Sequence, residues 1–163
     1  MAETPWLTRD EQETWIALAN IAMRLEGKLD QELRRDGGIT FAEYLVLAML
    51  SENPDRTLTL SELAARSNSS ASRMSHIVTR LVNRHWVERR PSPHDGRTTL
   101  AFLTDAGLET IRQLAPLHVA YVRDLIFDAL EPEDLQSMRV GLLKIADALT
   151  PVSGRTSVPG PSS

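Results

Sequence analysis

Apolar side chains recur along this chain in two helical seams, one near each end, with a short stretch of mixed pattern between them. From Arg9 to Arg35 the residues Trp15, Leu18, Ala22, Leu25, Leu29 and Leu33 fall at three- and four-residue steps, which lines one face of an α-helix. At about 1.5 Å per residue such a helix is roughly 40 Å long, more than one small domain needs. Gly37-Gly38 ends it. Thr40 and Glu43 then stand at the spacing of a capping box, in which two side chains satisfy the free amides of a helix start. The run FAEYLVLAML that follows reads as a helix buried on most sides. After a turn at Asn53-Pro54-Asp55, a second capping pair, Thr59 and Glu62, opens a short helix to about Arg66. Ser67-Asn68-Ser69-Ser70 supplies turn chemistry and a choice of N-caps, and the next helix runs to about His85.

Beyond His85 the period shortens. Trp86-Val87-Glu88-Arg89 and Thr99-Leu100-Ala101-Phe102-Leu103 read as paired strands around the tip Pro91-Ser92-Pro93-His94-Asp95-Gly96, whose prolines are expected to stay out of the ladder. Thr104 is the expected cap of a helix from about Asp105 to Ala129, which Pro116 should bend or split. Glu131-Pro132 restarts a last helix with Leu135, Met138, Leu142, Ile145 and Leu149 in a/d spacing. Short helix, turn, second helix and two strands over residues 57–107 is the order of a winged helix-turn-helix, a scaffold that sets one helix in the DNA major groove. The predicted fold is therefore mainly α with a small β-wing. A winged helix-turn-helix lobe over residues 39–104 is flanked by N- and C-terminal dimerisation helices, residues 9–36 and 105–150, with flexible termini at 1–8 and 151–163. The two seams have little partner surface within one chain. A homodimer satisfies them, and closure of the monomer's own core is the alternative.

Composition narrows the class. The 163 residues, 42% hydrophobic, can support one compact domain with a dimerising extension. No apolar run approaches the ~18 residues of a membrane span, and MAETPWLTRDEQE lacks the basic-then-apolar layout of a secretory signal, so a cytoplasmic protein with no membrane partner is expected. Zero cysteines exclude disulfides, thiol-based redox sensing and thiolate metal sites. His76, His85, His94 and His118 are scattered without metal-ligand spacing, so neither metal nor cofactor is expected. Phosphate loop, dinucleotide glycines, HExxH and nucleophile elbow are all missing, and the chain does not read as an enzyme.

Charge changes the picture only when resolved along the chain. The formal net charge is −4, yet residues 66–100 hold seven arginines against Glu88 and Asp95, a local +5. A basic face draws phosphate while the acidic remainder limits non-specific adhesion. Placed on a helix at 100° per residue, positions 69–84 put Met74, Ile77, Val78, Leu81 and Val82 inside. Ser69, Ser72, Ser75, His76, Thr79, Arg80 and Asn83 fall outside, with Arg73 on the flank. No acidic residue occurs between Ser67 and Glu88. Ser69, Ser70, Ser72, Arg73, Ser75, His76, Thr79 and Arg80 are thus the candidate DNA contacts on this helix, through phosphate oxygens or base edges. At the wing tip, Arg97 can enter an adjacent minor groove, where negative potential is focused, and Asp95 is expected to stabilise the wing by pairing with a nearby arginine.

The string DGRTTLAFLTDAG resembles the wing signature of the multiple antibiotic resistance regulator (MarR) family, with Asp95, Arg97, Leu103, Thr104 and Gly107 on its positions. LSELAARSNSSASRMSHIVTRLVNRHWVERR is similar to the recognition module of the same family, and the resemblance covers about residues 10–150. It implies a homodimeric repressor or activator on a pseudo-palindromic operator, its two recognition helices roughly 34 Å apart. It also implies release by a small phenolic or aromatic-acid ligand bound between the dimerisation region and the DNA-binding lobe, because the ligand favours a lobe spacing that does not fit the operator. The lack of cysteine departs from the oxidation-sensing branch of that family. Trp15, Tyr44 and His118 are polar-tipped rings near the implied cleft and are candidate ligand residues; ordinary core packing accounts for them equally well. The competing function is a winged helix used as a protein-interaction scaffold without operator specificity.

Overall fold

Three helices begin with the same chemical device. Thr8, Thr40 and Thr59 each accept a bond from the backbone N–H three residues on, and Glu11, Glu43 and Glu62 reach back to the threonine N–H, opening α1 (Arg9–Gly37), α2 (Phe41–Glu52) and α3 (Leu60–Arg66). Gly38 ends α1 in the left-handed conformation, φ 62, where glycine carries no side-chain penalty. The computed structural model describes residues 5–93, 95 and 98–149, in two compact units that divide between Tyr121 and Val122.

The first unit is built on α4 (Ala71–Asn83), β1 (Thr57–Thr59), β2 (Val87–Pro91) and β3 (Thr99–Leu103) together with the helices already named and α5 (Asp105–Val122). The strands form an antiparallel sheet in the order β1-β3-β2. Strand β1, with Leu58 opposite Ala101, was not expected; three residues are too short for an alternation pattern, and the sequence there reads only as the approach to the cap at Thr59. Pro91, expected outside the ladder, is the last residue of β2 and lies opposite Thr99. The next pair, Ser92 N–H to the Thr98 carbonyl at 2.9 Å, is hydrogen-bonded, so the Pro91 position is one that needs no donor. Leu33, Ile39, Val46, Leu47, Leu50, Leu63, Met74, Val78, Leu81 and Leu103 are fully buried and join helices and sheet in one core.

Helix α4 is shorter than expected at both ends. Ser70 is its N-cap, which leaves Ser69 in the preceding turn, and His85 at φ 61 already lies in the turn that follows. Thr104 caps α5 as expected, its hydroxyl oxygen accepting from Gly107 N–H at 3.0 Å. Pro116 neither splits nor ends α5. Its missing hydrogen bond costs about 3 kcal/mol, but Ile111 and Leu114 before it and His118 after it are buried, and burial at roughly 1.5–3 kcal/mol per large apolar side chain holds the helix through that point.

In the second unit, a single π-helical turn, Arg123–Phe127, replaces the expected continuation to Ala129, and α6 (Pro132–Leu149) follows. No residue of α6 is buried: Leu135, Leu142, Ile145 and Leu149 of its apolar seam are all exposed. In the first unit the early part of α1 is similar, with Trp15, Ile16, Ile21 and Met23 exposed.

Candidate nucleic-acid interface

Helix α4 sorts its side chains as the 100° pattern requires. Met74, Ile77, Val78 and Leu81 are buried, while Ser72, Arg73, His76, Thr79 and Arg80 are exposed and Ser75 is half-buried. The cap explains how the helix start is presented. Ser70 Oγ accepts from Arg73 N–H at 3.2 Å, so its own hydrogen is left to donate outward. The first turn holds no acidic residue, and the positive end of the helix dipole is not neutralised from within α4. Arg73 makes an exposed 3.5 Å contact with Glu26 of α1, the kind of surface pair that costs little to open.

Arg80 is placed differently from the other candidates. Its Nε lies 2.7 Å from Glu43 Oε1, and that carboxylate is almost completely buried. Glu43 Oε2 also accepts from Thr40 N–H at 2.7 Å and from Thr40 Oγ1 at 2.9 Å. Burial pushes the Glu43 carboxyl up, but the bonds from the Thr40 backbone, Arg80 and the Thr40 hydroxyl outweigh it and hold the group below the usual carboxylate range. Arg80 therefore joins α4 to the start of α2, a tie that the helical pattern alone could not show.

Two further arginines were missed as site residues. Arg89, on β2, donates through Nη2 to the Ser75 carbonyl, Ser75 Oγ and Thr79 Oγ1. Arg84 donates to the Gly38 carbonyl at 2.8 Å and stacks over Trp86, 4.9 Å from the ring centroid. Both lie in the basic stretch that charge counting found, but their partners are remote in sequence and leave no local signal.

At the wing, Asp95 accepts from Thr98 twice, its carbonyl from the backbone N–H and Oδ2 from the hydroxyl, both at 2.9 Å. Arg97 and His94, both named from the sequence, lie outside the described residues. Next to the tip, Arg90 stacks on Phe102 at 3.5 Å and pairs with Glu88 at 2.8 Å.

A cleft of about 800 Å³ separates α1 from α4; Glu26, Asp30, Arg34, Arg73, His76 and Arg80 line it. A second, of about 410 Å³, is more apolar and is walled by Leu25, Leu29, Phe41, Leu45 and Ile77. None of Trp15, Tyr44 and His118 lines either one. Tyr44 and His118 do meet, ring centroids 4.4 Å apart, but within the core, and Trp15 is 58% exposed on α1. Burial, with the charges of Glu32 and Glu52, pushes the Tyr44 phenol up. His118 Nδ1 lies 3.0 Å from Glu32 Oε2, both residues being buried. Glu32 was not singled out from the sequence; it sits on the inner face of α1 and is separated from His118 by most of the chain. Among the described residues no cluster of His, Asp and Glu has the arrangement of a metal site.

Comparison with known proteins agrees with this geometry. A model of the MarR family matches residues 37–98, from the end of α1 to the wing. Sco3205, a MarR family transcriptional regulator from Streptomyces coelicolor solved in complex with DNA, is 39% identical; the match covers 95% of this chain and 97% of that one, with a TM-score of 0.87. AbsC, a MarR family regulator from the same organism, is also 39% identical, over 90% and 98% of the two chains, with a TM-score of 0.83. The transcriptional repressor MprA of Escherichia coli (strain K12) is 29% identical over 104 residues; the match takes in 62% of this chain and spans 59% of the length of that curated relative. The chain, a winged helix-turn-helix protein in which three strands rather than two make the wing sheet, belongs to the MarR family of transcriptional regulators.

Proposed function

We propose that the chain is a homodimeric, sequence-specific DNA-binding repressor of transcription, and that α4 enters the major groove of a pseudo-palindromic operator. The observation that carries this reading is the exposed face of α4, which offers hydroxyls, His76 and Arg73 and contains no carboxylate. A solvated surface helix of this length has no need to exclude acids, whereas a helix facing phosphate does. The similarity to Sco3205, a regulator solved in complex with DNA, supports a DNA-binding reading. Ser69, Ser70, Ser72, Arg73, Ser75, His76 and Thr79 face the duplex, Arg97 reaches a minor groove from the wing, and Asp95 stabilises the wing tip. Arg80 acts at one remove, by fixing α4 to α2 through Glu43.

Dimerisation follows from what a single chain leaves uncovered. The apolar side chains that early α1 and the a/d seam of α6 leave exposed are what a second copy buries. The cleft between α1 and α4 takes a small aromatic acid with its ring on Met23, Ala42 and Ile77 and its acid group on Arg73, whose exposed 3.5 Å contact with Glu26 opens readily. A ligand there presses directly on the recognition helix and releases the operator. The test is equilibrium binding of the purified protein to DNA from upstream of its own gene, across a salt series and against scrambled DNA. Specific binding by a dimer, weakening as salt rises, is the expected result, and aromatic acids are then screened for release. Equal and weak binding to both DNAs would replace this reading with that of a protein-interaction scaffold.

A further inference from the structure

Arg89 is exposed on β2, yet one of its terminal nitrogens is fully committed to α4. Nη2 lies 2.8 Å from the Ser75 carbonyl oxygen, 3.1 Å from Ser75 Oγ and 2.9 Å from Thr79 Oγ1. The Thr79 hydroxyl spends its only hydrogen on the Ser75 carbonyl, at 2.8 Å. With the donor turned back on the helix and a lone pair taken by Arg89, what Thr79 still presents to the outside is chiefly its methyl group. Ser75 Oγ is an acceptor from Arg89, and its own hydrogen stays available to donate. Four residues apart on one helix, the two side chains are neighbours on the same face.

We propose that Arg89 sets the sequence preference of α4 by locking these two hydroxyls, so that the helix offers a methyl at Thr79 and a single donor at Ser75 to adjacent base pairs. The proposal rests on the reading that α4 enters the major groove. The apolar partner available there is the C5-methyl group of thymine, and the acceptors available to Ser75 are a purine N7, guanine O6 or thymine O4. Without Arg89, the Thr79 hydroxyl can rotate outward and bond donor or acceptor on any base, and discrimination at that position is lost. Arg89 is thus a positioning residue: it shapes what α4 reads without contacting a base itself.

The test uses the full chain and a duplex selected by it from a random pool, with each thymine replaced in turn by deoxyuridine, which lacks only the methyl. Wild-type protein is expected to lose about fourfold in affinity at one thymine per half-site, the value of one buried methyl group. Arg89→Met is expected to bring that ratio close to one. Because the ratio compares two DNAs with the same protein, the lost charge cancels. Thr79→Val in the Arg89→Met background restores the ratio, since valine presents a methyl with no hydroxyl to release. A fourfold ratio retained in Arg89→Met overturns the proposal, as does a wild-type protein indifferent to every deoxyuridine, and both leave the groove reading of α4 standing. If wild-type protein enriches no duplex from the pool, the groove reading itself falls and this proposal with it.

Discussion

Replacing Arg80 by alanine separates a structural role from a DNA-contacting one. The guanidinium lies 2.7 Å from the buried Glu43 carboxylate and is itself about half exposed, 51%. A hydrogen bond to a charged group is worth about 1.5–3 kcal/mol, and the exposure of Arg80 screens part of it, so a loss of roughly 1–2 kcal/mol is expected at neutral pH. For a chain of this size that corresponds to a fall in Tm of about 3–6 °C, compared at one protein concentration because the proposed self-association would make Tm concentration-dependent. The effect has a definite pH sign. Glu43 has a carboxyl pKa held below its ordinary value of 4.5 in the folded state, so its stabilisation is fully present above that value and is lost as the pH falls through the lower, folded-state value. The Arg80→Ala deficit should therefore be full at pH 7 and shrink progressively below pH 4.5. Glu43→Gln in the same background should recover about half of the loss, because glutamine keeps the capping bond to Thr40 without leaving an unpaired buried charge. Thermal melts of the three proteins (wild type, Arg80→Ala and the double variant) at both ends of that pH range decide the matter. An Arg80→Ala deficit that is the same at every pH, or one that Glu43→Gln deepens, would refute the argument.

A Cβ at Gly107 would lie 2.2 Å from the Trp86 carbonyl oxygen and 2.7 Å from Leu103 Cδ1, so Gly107→Ala must push α5 away from the wing; a loss of about 3 kcal/mol is expected, read as a lower denaturant midpoint at an unchanged m-value. An unchanged midpoint would mean that this junction yields easily. Leu142→Glu places a charge on the exposed seam of α6, and with two symmetric copies affected the dimer should weaken by up to about 3–6 kcal/mol; light scattering at micromolar concentration should then show monomer, and a surviving dimer would refute the placement of the seam.

What could be read from the sequence was what neighbouring residues decide between themselves. The capping pairs Thr40–Glu43 and Thr59–Glu62 stand three residues apart, so spacing alone located the starts of α2 and α3. The buried face of α4 followed from periodicity in the same way. What could not be read depends on partners far along the chain. Strand β1 exists because β3 pairs with it, and Glu32 is buried because His118 meets it, at a sequence separation of 86. Pro116 looked like a helix breaker because its cost is local and legible, whereas the burial that offsets it is not. Among the ligand candidates the same limit applied. Their ring chemistry was visible, but their placement away from both clefts was not.

The basic stretch shows where this limit reaches function. Seven arginines between residues 66 and 100 suggest that a dimer could offer fourteen to phosphate. At about 0.9 counterion per contact, that would give a slope of log affinity against log salt near −13 from this stretch. The structure divides the set. Arg80 and Arg90 each carry a carboxylate of their own, Glu43 and Glu88, and so bring no net charge to the duplex. Arg84 and Arg89 spend donors on the Gly38 carbonyl and on the hydroxyls of α4. Arg66, Arg73, whose exposed 3.5 Å contact with Glu26 opens readily, and Arg97, which is proposed from the sequence to reach the duplex and lies outside the described residues, give six in a dimer and a slope of about −5. Titration of a selected duplex from low to high salt distinguishes the two values. A slope near −13 would mean that the internal bonds of Arg80, Arg84, Arg89 and Arg90 are given up when DNA binds, and that the arginines act as a charge reservoir; a slope near −5 keeps them as the framework that aims α4.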